Sequence, residues 1–416
     1  MKKPTYLFTA ESVSEGHPDK MADQISDAIL DAYLFNDPKA KVAIECLITH
    51  QHLIIAGEVK TSSKEKVDVI AIAKKVIEEI GYISEETGFD VHRAEYTVKI
   101  HEQAAEIGHS VANGGAGDQG MMFGYACNET EDLMPLPIWL AHRIVEQLSH
   151  LRKDGTLPWL LPDAKSQVTV TYENGKPVGI DNILVSTQHQ SYIMEGRTDF
   201  HGGLMGPPVG NTQKRVAVSQ EMISQALAKK VLQPLVNKIF PVQKPRFIIN
   251  PSGSFTQGGP SADTGLTGRK IIVDTYGGSS LHGGGAFSGK DPTKVDRSAA
   301  YMARYVAKHI VAAGLSSKCT IQLAYAIGVA EPTSIYLDFH GQGRVSEEKA
   351  ISIIKQLFDF TPNGIINTLN LRRPIYQKTA AYGHFGRNGF SWESLDSKIV
   401  EELKNTFKFN PTHKII

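Results

Sequence analysis

The chain has 416 residues, enough for two or three domains, and 41% of them are apolar, enough for large buried cores. Lysine plus arginine and aspartate plus glutamate each number 44, a balance that gives no global field for gathering nucleic acid or an anionic membrane. Three cysteines, Cys46, Cys127 and Cys319, with no C-x-x-C pair argue against a disulfide scaffold or a thiolate zinc site.

The opening MKKPTYLFTAESVSEGHPDK carries two lysines but no apolar core of signal-peptide length. No stretch approaches the ~18 apolar residues of a membrane helix, so a soluble cytoplasmic protein is expected. Residues 18–34 put Met21, Ile25, Ala28, Ile29 and Ala32 on one helical face, with Pro18 in the first turn and His17 just before it. KVAIECLITH and LIIAGEVKT read as a hairpin, and KVDVIAIAKKVIEEIGY as an amphipathic helix stopped by Gly81. PIWLAHRIVEQLSHLRKDG is a further helix, and Asn174-Gly175 marks a hairpin within QVTVTYENGKPVGIDNILVST. SQEMISQALAKKVLQPLVNKIF reads as a helix, and KPRFIINPSGSF and RKIIVDTYGG as strands that end in loops. DRSAAYMARYVAKHIVAAG is a helix followed by strands TIQLAYAIGV and SIYLDFH, and SEEKAISIIKQLF opens with a capping Ser346. Hairpins and helices thus alternate about three times, which predicts an α/β (α+β mixed) protein with sheets backed by helices. The long segments 101–118 and 188–216 read as a mobile loop and an insert.

Two glycine-rich motifs raise nucleotide binding. GAGDQG, residues 115–120, matches G-x-G-x-x-G but has no buried strand before it and a poor helix after it, so the Rossmann reading fails. Its glycines can instead bend the backbone so that Asp118 points into a cleft. HGGGAFSGKD nearly matches a P-loop, but Asp291 stands where a metal-binding hydroxyl is needed. Either this is a flexible turn, or it serves a magnesium-bound polyphosphate together with Lys290, Lys294 and Asp296. Asp263, Arg269 and Lys270 lie where a loop is expected to enter a strand, and Asp163 and Lys165 precede another strand. His17 sits where a helix end favours an anion, whereas Asp19 beside a phosphate requires an intervening Mg²⁺, with Asp296 a natural second carboxylate. Glu45 and Glu58 lie among apolar neighbours, either solvated on an edge strand or buried with a cation partner.

FTAESVSEGHPDKMADQISDAILDA, GAGDQGMMFGYA, GTLPWLLPDAKSQVT, GGPSADTGLTGRKIIVDTYGG, HGGGAFSGKDPTKVDRSAAYMARYVAK, YAIGVAEPTSI and TAAYGHFGR strongly resemble, in order and over nearly the whole chain, the S-adenosylmethionine synthetase (methionine adenosyltransferase) family. The resemblance implies that ATP, methionine and water give S-adenosylmethionine, phosphate and diphosphate. Methionine sulfur attacks ribose C5′ and the triphosphate leaves whole before it is cleaved. It implies three similar subdomains in a pseudo-threefold arrangement, here 4–102, 116–245 and 247–386, interleaved in sequence, with a tail at 387–416 and a gating loop at 101–118. By the same resemblance His17, Lys165, Arg269 and Lys290 are catalytic. Asp163, Ser254, Phe255, Asp263, Lys270 and Ala286 join them in holding ATP, and Glu58, Gln103, Asp118, Asp263 and Lys294 bind methionine. Asp19 and Asp296 hold Mg²⁺, two ions per site, and Glu45 holds K⁺. Homodimers with shared active sites, paired as a homotetramer, are implied, with no nucleic acid or membrane partner. Ser254 stands where the family usually carries a basic residue, and Gln257 and Glu106 replace an apolar residue and an aspartate. The rival readings are a P-loop ATPase or kinase and a non-catalytic nucleotide sensor.

Overall fold

Runs of β-branched residues alternate with amphipathic segments, and the computed structural model, which describes residues 5–102, 114–194 and 215–406, turns this alternation into three helix-backed sheets. In chain order the elements are β1 (Thr5–Val13), α1 (Pro18–Asn36), β2 (Lys41–Thr49), β3 (His52–Lys60), α2 (Val69–Ile80), β4 (Glu95–Glu102), β5 (Gly120–Cys127) and α3 (Leu136–Lys153). There follow β6 (Leu160–Glu173), β7 (Lys176–His189), β8 (Arg246–Ile249), β9 (Gly265–Leu266), α4 (Val295–Ala312), β10 (Lys318–Tyr325), β11 (Ser334–Asp338) and α5 (Glu347–Leu357). The sheet orders are β1-β6-β7-β8, β9-β2-β3-β4 and β11-β10-β5. One long helix packs on each: α3 on β6 and β1, α1 on β2 and β9, α4 on β5 and β10.

Among the described residues none of these three sheets is built from one continuous stretch. β1 pairs antiparallel with β6, β9 returns to pair with β2, and β5 pairs with β10. These distant pairings wrap the chain back on itself, so the ends of α1 meet residues 266–270 and 376–377. The larger core spans α1, β2, β3, α4 and β10, and a second lies between α3, β6, β7 and residues 220–239. Among the described residues no helix is long and apolar enough to cross a membrane.

Local chemistry accounts for most boundaries. Gly81 ends α2 at φ +109°, a left-handed conformation that glycine adopts without a Cβ clash. Asn174 and Gly175 both have positive φ, as the two-residue turn between β6 and β7 requires. The Ser346 hydroxyl caps α5 by accepting from the Lys349 amide at 3.4 Å.

Four expectations are corrected. RKIIVDTYGG is not a strand: Ile271–Asp274 form one helical turn, with the Asp274 amide bonded to the Lys270 carbonyl at 2.8 Å and its carboxylate held by the buried Lys20. In KPRFIINPSGSF only Arg246–Ile249 are extended. The 220–239 helix is interrupted by a π turn at Ala228–Leu232, just before Pro234, whose missing N–H removes a helical hydrogen bond. LPDAKSQ lies within β6 rather than before it. In the 188–216 insert, Tyr192–Met194 pair with Arg215–Ala217, and residues 195–214 lie outside the described residues.

The C-terminal part of the chain is fastened to α4 by buried charge. Glu393 accepts from Arg304 Nε at 2.8 Å and from Lys308 Nζ at 2.7 Å. Replacing the carboxylate leaves two cations with no counter-charge. Glu393→Leu should lower the unfolding free energy by about 3–5 kcal/mol, read from urea denaturation.

Candidate active site

The turn that links β1 to α1 delivers the first group of polar side chains. His17 is the N-cap of α1, and its Nδ1 accepts from the Asp19 amide at 3.2 Å. With Nδ1 an acceptor, the proton of the neutral ring sits on Nε2. Burial, then the ammonium groups of Lys270 and Lys165, push the His17 pKa down to about 3. The imidazole is therefore a neutral hydrogen-bond donor at neutral pH.

Asp19 lies in the first turn of α1. Its Oδ1 accepts from the Leu266 amide at 2.9 Å and its Oδ2 from Lys270 Nζ at 2.5 Å, with Arg269 Nε 3.7 Å away. Burial opposes ionisation, but these partners hold the carboxyl below its usual range. The cation facing Asp19 here is thus Lys270, where the sequence alone suggested a bridging metal.

β6 supplies two more members. Lys165 lies directly across from Val13, beside the turn that leads to His17. A register shift between Leu160 and Ala164 turns Asp163 inward. Asp163 Oδ2 accepts from the Gly259 amide at 3.0 Å, and its Oδ1 is buried without a partner among the described residues. Burial raises its pKa to about 6, against the Gly259 hydrogen bond and Lys165, with Asp263 also raising it. The same loop carries Ser254, which is exposed, and Phe255, whose amide donates to His189 Nε2 at 3.1 Å.

A second group gathers at the start of α4. Lys290 Nζ pairs with Asp296 Oδ2 at 2.6 Å, and Lys294 Nζ with Asp291 Oδ2 at 2.5 Å. Asp291 is fully buried, and its oxygens also accept from the amides of Val42 and Thr293. The position where a P-loop needs a hydroxyl is therefore a structural anchor to β2. Lys290 forms a backbone bridge to Ala43, and Ala43 lies opposite Glu58. Glu58 pairs with His101 at 3.3 Å. Glu45 is exposed, which corrects the buried alternative. Desolvation by its surroundings and then Glu58 still raise its pKa, against Lys290 and Lys294. Asp118 is exposed and accepts from the Gln119 amide at 2.8 Å, two residues before Gly120, which lies against Asp296.

Among the described residues no hydrogen bond or ion pair joins the first group (His17, Asp19, Asp163, Lys165, Asp263, Arg269, Lys270) to the second (Glu45, Glu58, Asp118, Lys290, Lys294, Asp296). Ala286 abuts Gly268, so the loops that carry the groups touch there. Gln103, and with it most of segment 101–118, lies outside the described residues. Also among the described residues, no set of three or more His, Cys, Asp or Glu side chains is arranged to hold a metal ion.

Sequence reasoning missed the support beneath both groups. Asp19, Asp23, Asp27 and Asp31 recur every fourth residue along α1. Asp23 accepts from the Gly268 amide at 2.8 Å, and Asp27 from the Gly289 amide at 2.8 Å. Asp31 accepts from the amides of Tyr376 and Gln377, both at 2.9 Å. Asp27 also takes a two-point contact from Arg297 at 2.7 and 2.8 Å, and Lys20 joins Asp23 to Asp274. The acidic spacing in DKMADQISDAILD was a readable signal, set beside the apolar stripe on the same helix.

Comparison with known proteins agrees with the architecture. Family models described as S-adenosylmethionine synthetase N-terminal, central and C-terminal domains match residues 5–105, 113–255 and 257–394. The S-adenosylmethionine synthase of Wolinella succinogenes is 54% identical, across 97% of this chain and 98% of its own length. That of Helicobacter hepaticus is 53% identical over 97% and 98%. That of a Sulfurovum species is 53% identical over 96% and 98%.

The neutral His17 has a consequence for acid stability. The unfolded ring takes a proton below about pH 6.5, whereas the folded ring stays neutral until about pH 3. The unfolded state then binds more protons, so this contribution is complete above 6.5 and is lost progressively toward 3. His17→Gln should flatten the fall of unfolding free energy between pH 6.5 and 4, measured by urea titration. An unchanged slope would rule out the buried neutral ring.

Proposed function

The chain belongs to the S-adenosylmethionine synthetase family, and we propose that its two polar groups are complementary halves of one active site, completed by a second copy of the chain. The reaction converts ATP, L-methionine and water to S-adenosylmethionine, phosphate and diphosphate. Methionine sulfur attacks ribose C5′ and the triphosphate is the leaving group, so negative charge must be neutralised along three phosphates rather than at one. The observation that carries the reading is the convergence of Lys165, Lys270 and Arg269 on the neutral His17 and the carboxylate of Asp19.

In this reading the His17 Nε2–H donates to the departing oxygen, and as a neutral donor it needs no proton release to act. Lys165, Arg269 and Lys270 from one chain and Lys290 from the other line the triphosphate. The unpartnered Asp163 Oδ1 is an oxygen aimed at the nucleoside, with Phe255 against the base and Ser254, Asp263 and Ala286 around it. Glu58, Gln103, Asp118, Asp263 and Lys294 orient methionine, its carboxylate toward Lys294 and its ammonium toward the carboxylates.

Asp19 and Asp296 are hard oxygen donors, one in each group, and each is held by a single lysine. One or two carboxylates together with substrate phosphates suit Mg²⁺, and both residues would hold it when the substrate arrives. Bound there, Mg²⁺ supplies neutralising charge to the phosphates. The exposed Glu45 would hold K⁺. Homodimers, their pairing as tetramers, and a reducing cytoplasm that suits three buried free cysteines complete the proposal.

The test is direct. The protein incubated with ATP, methionine, Mg²⁺ and K⁺ should yield a sulfonium product by mass, with phosphate release that depends on methionine. Lys290→Ala should fold normally and slow product formation at least about 10²-fold. Sharing of the site predicts complementation. Lys165→Ala and Lys290→Ala chains, each inactive alone, should regain activity when dissociated and reassembled together, since one of the two sites in the hybrid dimer is then intact. Persistent inactivity of a verified hybrid would place the whole site in one chain.

A further inference from the structure

We propose that a cavity between the start of β2, the loop before α4 and residues 362–372 is a second anion site, which takes phosphate or diphosphate independently of the active site. The cavity has a volume of about 290 Å³ and its polar lining is Lys39, Lys41, Thr293, Asn363 and Arg372, with Gly114 and Gly115 of the segment that leads to Asp118 also in its wall. It lies at the low end of the range for small-molecule pockets, so it suits a small anion and not a whole nucleotide.

The charges around it are unbalanced. Among the described residues neither the Lys39 nor the Lys41 ammonium makes a hydrogen bond or ion pair. Arg372 makes a single hydrogen bond, from Nη1 to the Pro38 carbonyl at 3.2 Å. Burial, with repulsion from Lys294, Lys60 and Arg372, holds the half-buried Lys41 below the ordinary lysine range. Asp291 is the carboxylate that opposes this, and its oxygens are already taken by Lys294 and two backbone amides. Cations held together without a counter-charge repel, and a bound anion converts that repulsion into charge-assisted hydrogen bonds. Thr293 and Asn363 add neutral polar residues to the wall.

The site is distinct from the active-site halves. Lys39, Lys41 and Arg372 make no hydrogen bond or ion pair to any member of either group among the described residues. The loop Asp291–Lys294 lies between the two, so an anion here would sit one residue from Lys294. The reaction releases phosphate and diphosphate, so the ligand is at hand whenever the enzyme turns over.

Equilibrium dialysis with radiolabelled inorganic diphosphate at low ionic strength tests the proposal. Wild-type protein should show two classes of site. Lys41→Gln with Arg372→Gln should weaken one class at least about tenfold, with the rate of S-adenosylmethionine formation at saturating substrates unchanged. Lys290→Ala should weaken only the other class, and Lys41→Arg should keep both, which separates loss of charge from loss of fold. Two intact classes in the double glutamine variant would overturn the proposal. So would a single class in the wild type that Lys290→Ala abolishes. Neither result bears on the active-site reading, which stands on product formation.

Discussion

Four carboxylates on one buried helix hold the functional loops of this protein in place. Asp19, Asp23, Asp27 and Asp31 on α1 accept from the backbone amides of Leu266, Gly268, Gly289, and Tyr376 with Gln377. A spacing of four exceeds a helical turn by about 40° per step. The acidic stripe therefore winds around α1, so its first two members meet the 264–270 loop, the third the glycine-rich loop and the fourth a later turn. Each carboxylate is buried or half-buried, and such a group is tolerable only when its oxygens are satisfied. Lys20 and Arg297 supply the compensating charge from within the same core. A shift of any of these loops would orphan a carboxylate, so Arg269, Lys270 and Lys290 are carried on loops with little freedom to move.

The glycine-rich loop 282–291 illustrates how packing can imitate a phosphate-binding motif. Gly289 has φ +82° and lies so close to the Ile44 carbonyl that a side chain would collide with it. Its amide goes to Asp27, and the amide of Asp291 to the Val42 carbonyl. These amides serve the protein's own backbone and carboxylates, unlike those of a P-loop, which face phosphate. The loop's ammonium groups, Lys290 and Lys294, stand at its exit, paired with Asp296 and Asp291. That division suits a reaction in which an entire triphosphate departs, because point charges can be spread along it from several elements.

The two groups of polar residues differ in electrostatic character. Around His17, three cations and three carboxylates surround a neutral imidazole, with Asp19 paired to Lys270 and Asp163 to the Gly259 amide. Around Lys290, the two lysines are already paired with Asp296 and Asp291, and Glu45, Glu58 and Asp118 leave an excess of carboxylates. Desolvation dominates both His17 and Asp163: it removes the charge of the ring and raises the pKa of the carboxyl. Burial thereby supplies the site with a neutral donor at the helix end and an unpartnered oxygen on the neighbouring strand.

The sequence by itself determined the local elements and the chemistry of individual positions. The helix from Pro18, the Asn174-Gly175 turn, the stop at Gly81 and the Ser346 cap follow from steric and hydrogen-bonding rules that act within a few residues. The motifs also pointed to one family, whose three domain models match the chain in order. Only the tertiary structure decided that Ile271–Asp274 would be helical, that Asp291 is an anchor, and that the α1 aspartates each hold a loop. It likewise split the site residues into two groups and set Glu45 in solvent. Those outcomes depend on contacts between segments far apart in the chain, where the burial of a charge beside a particular amide outweighs the preference of the local sequence.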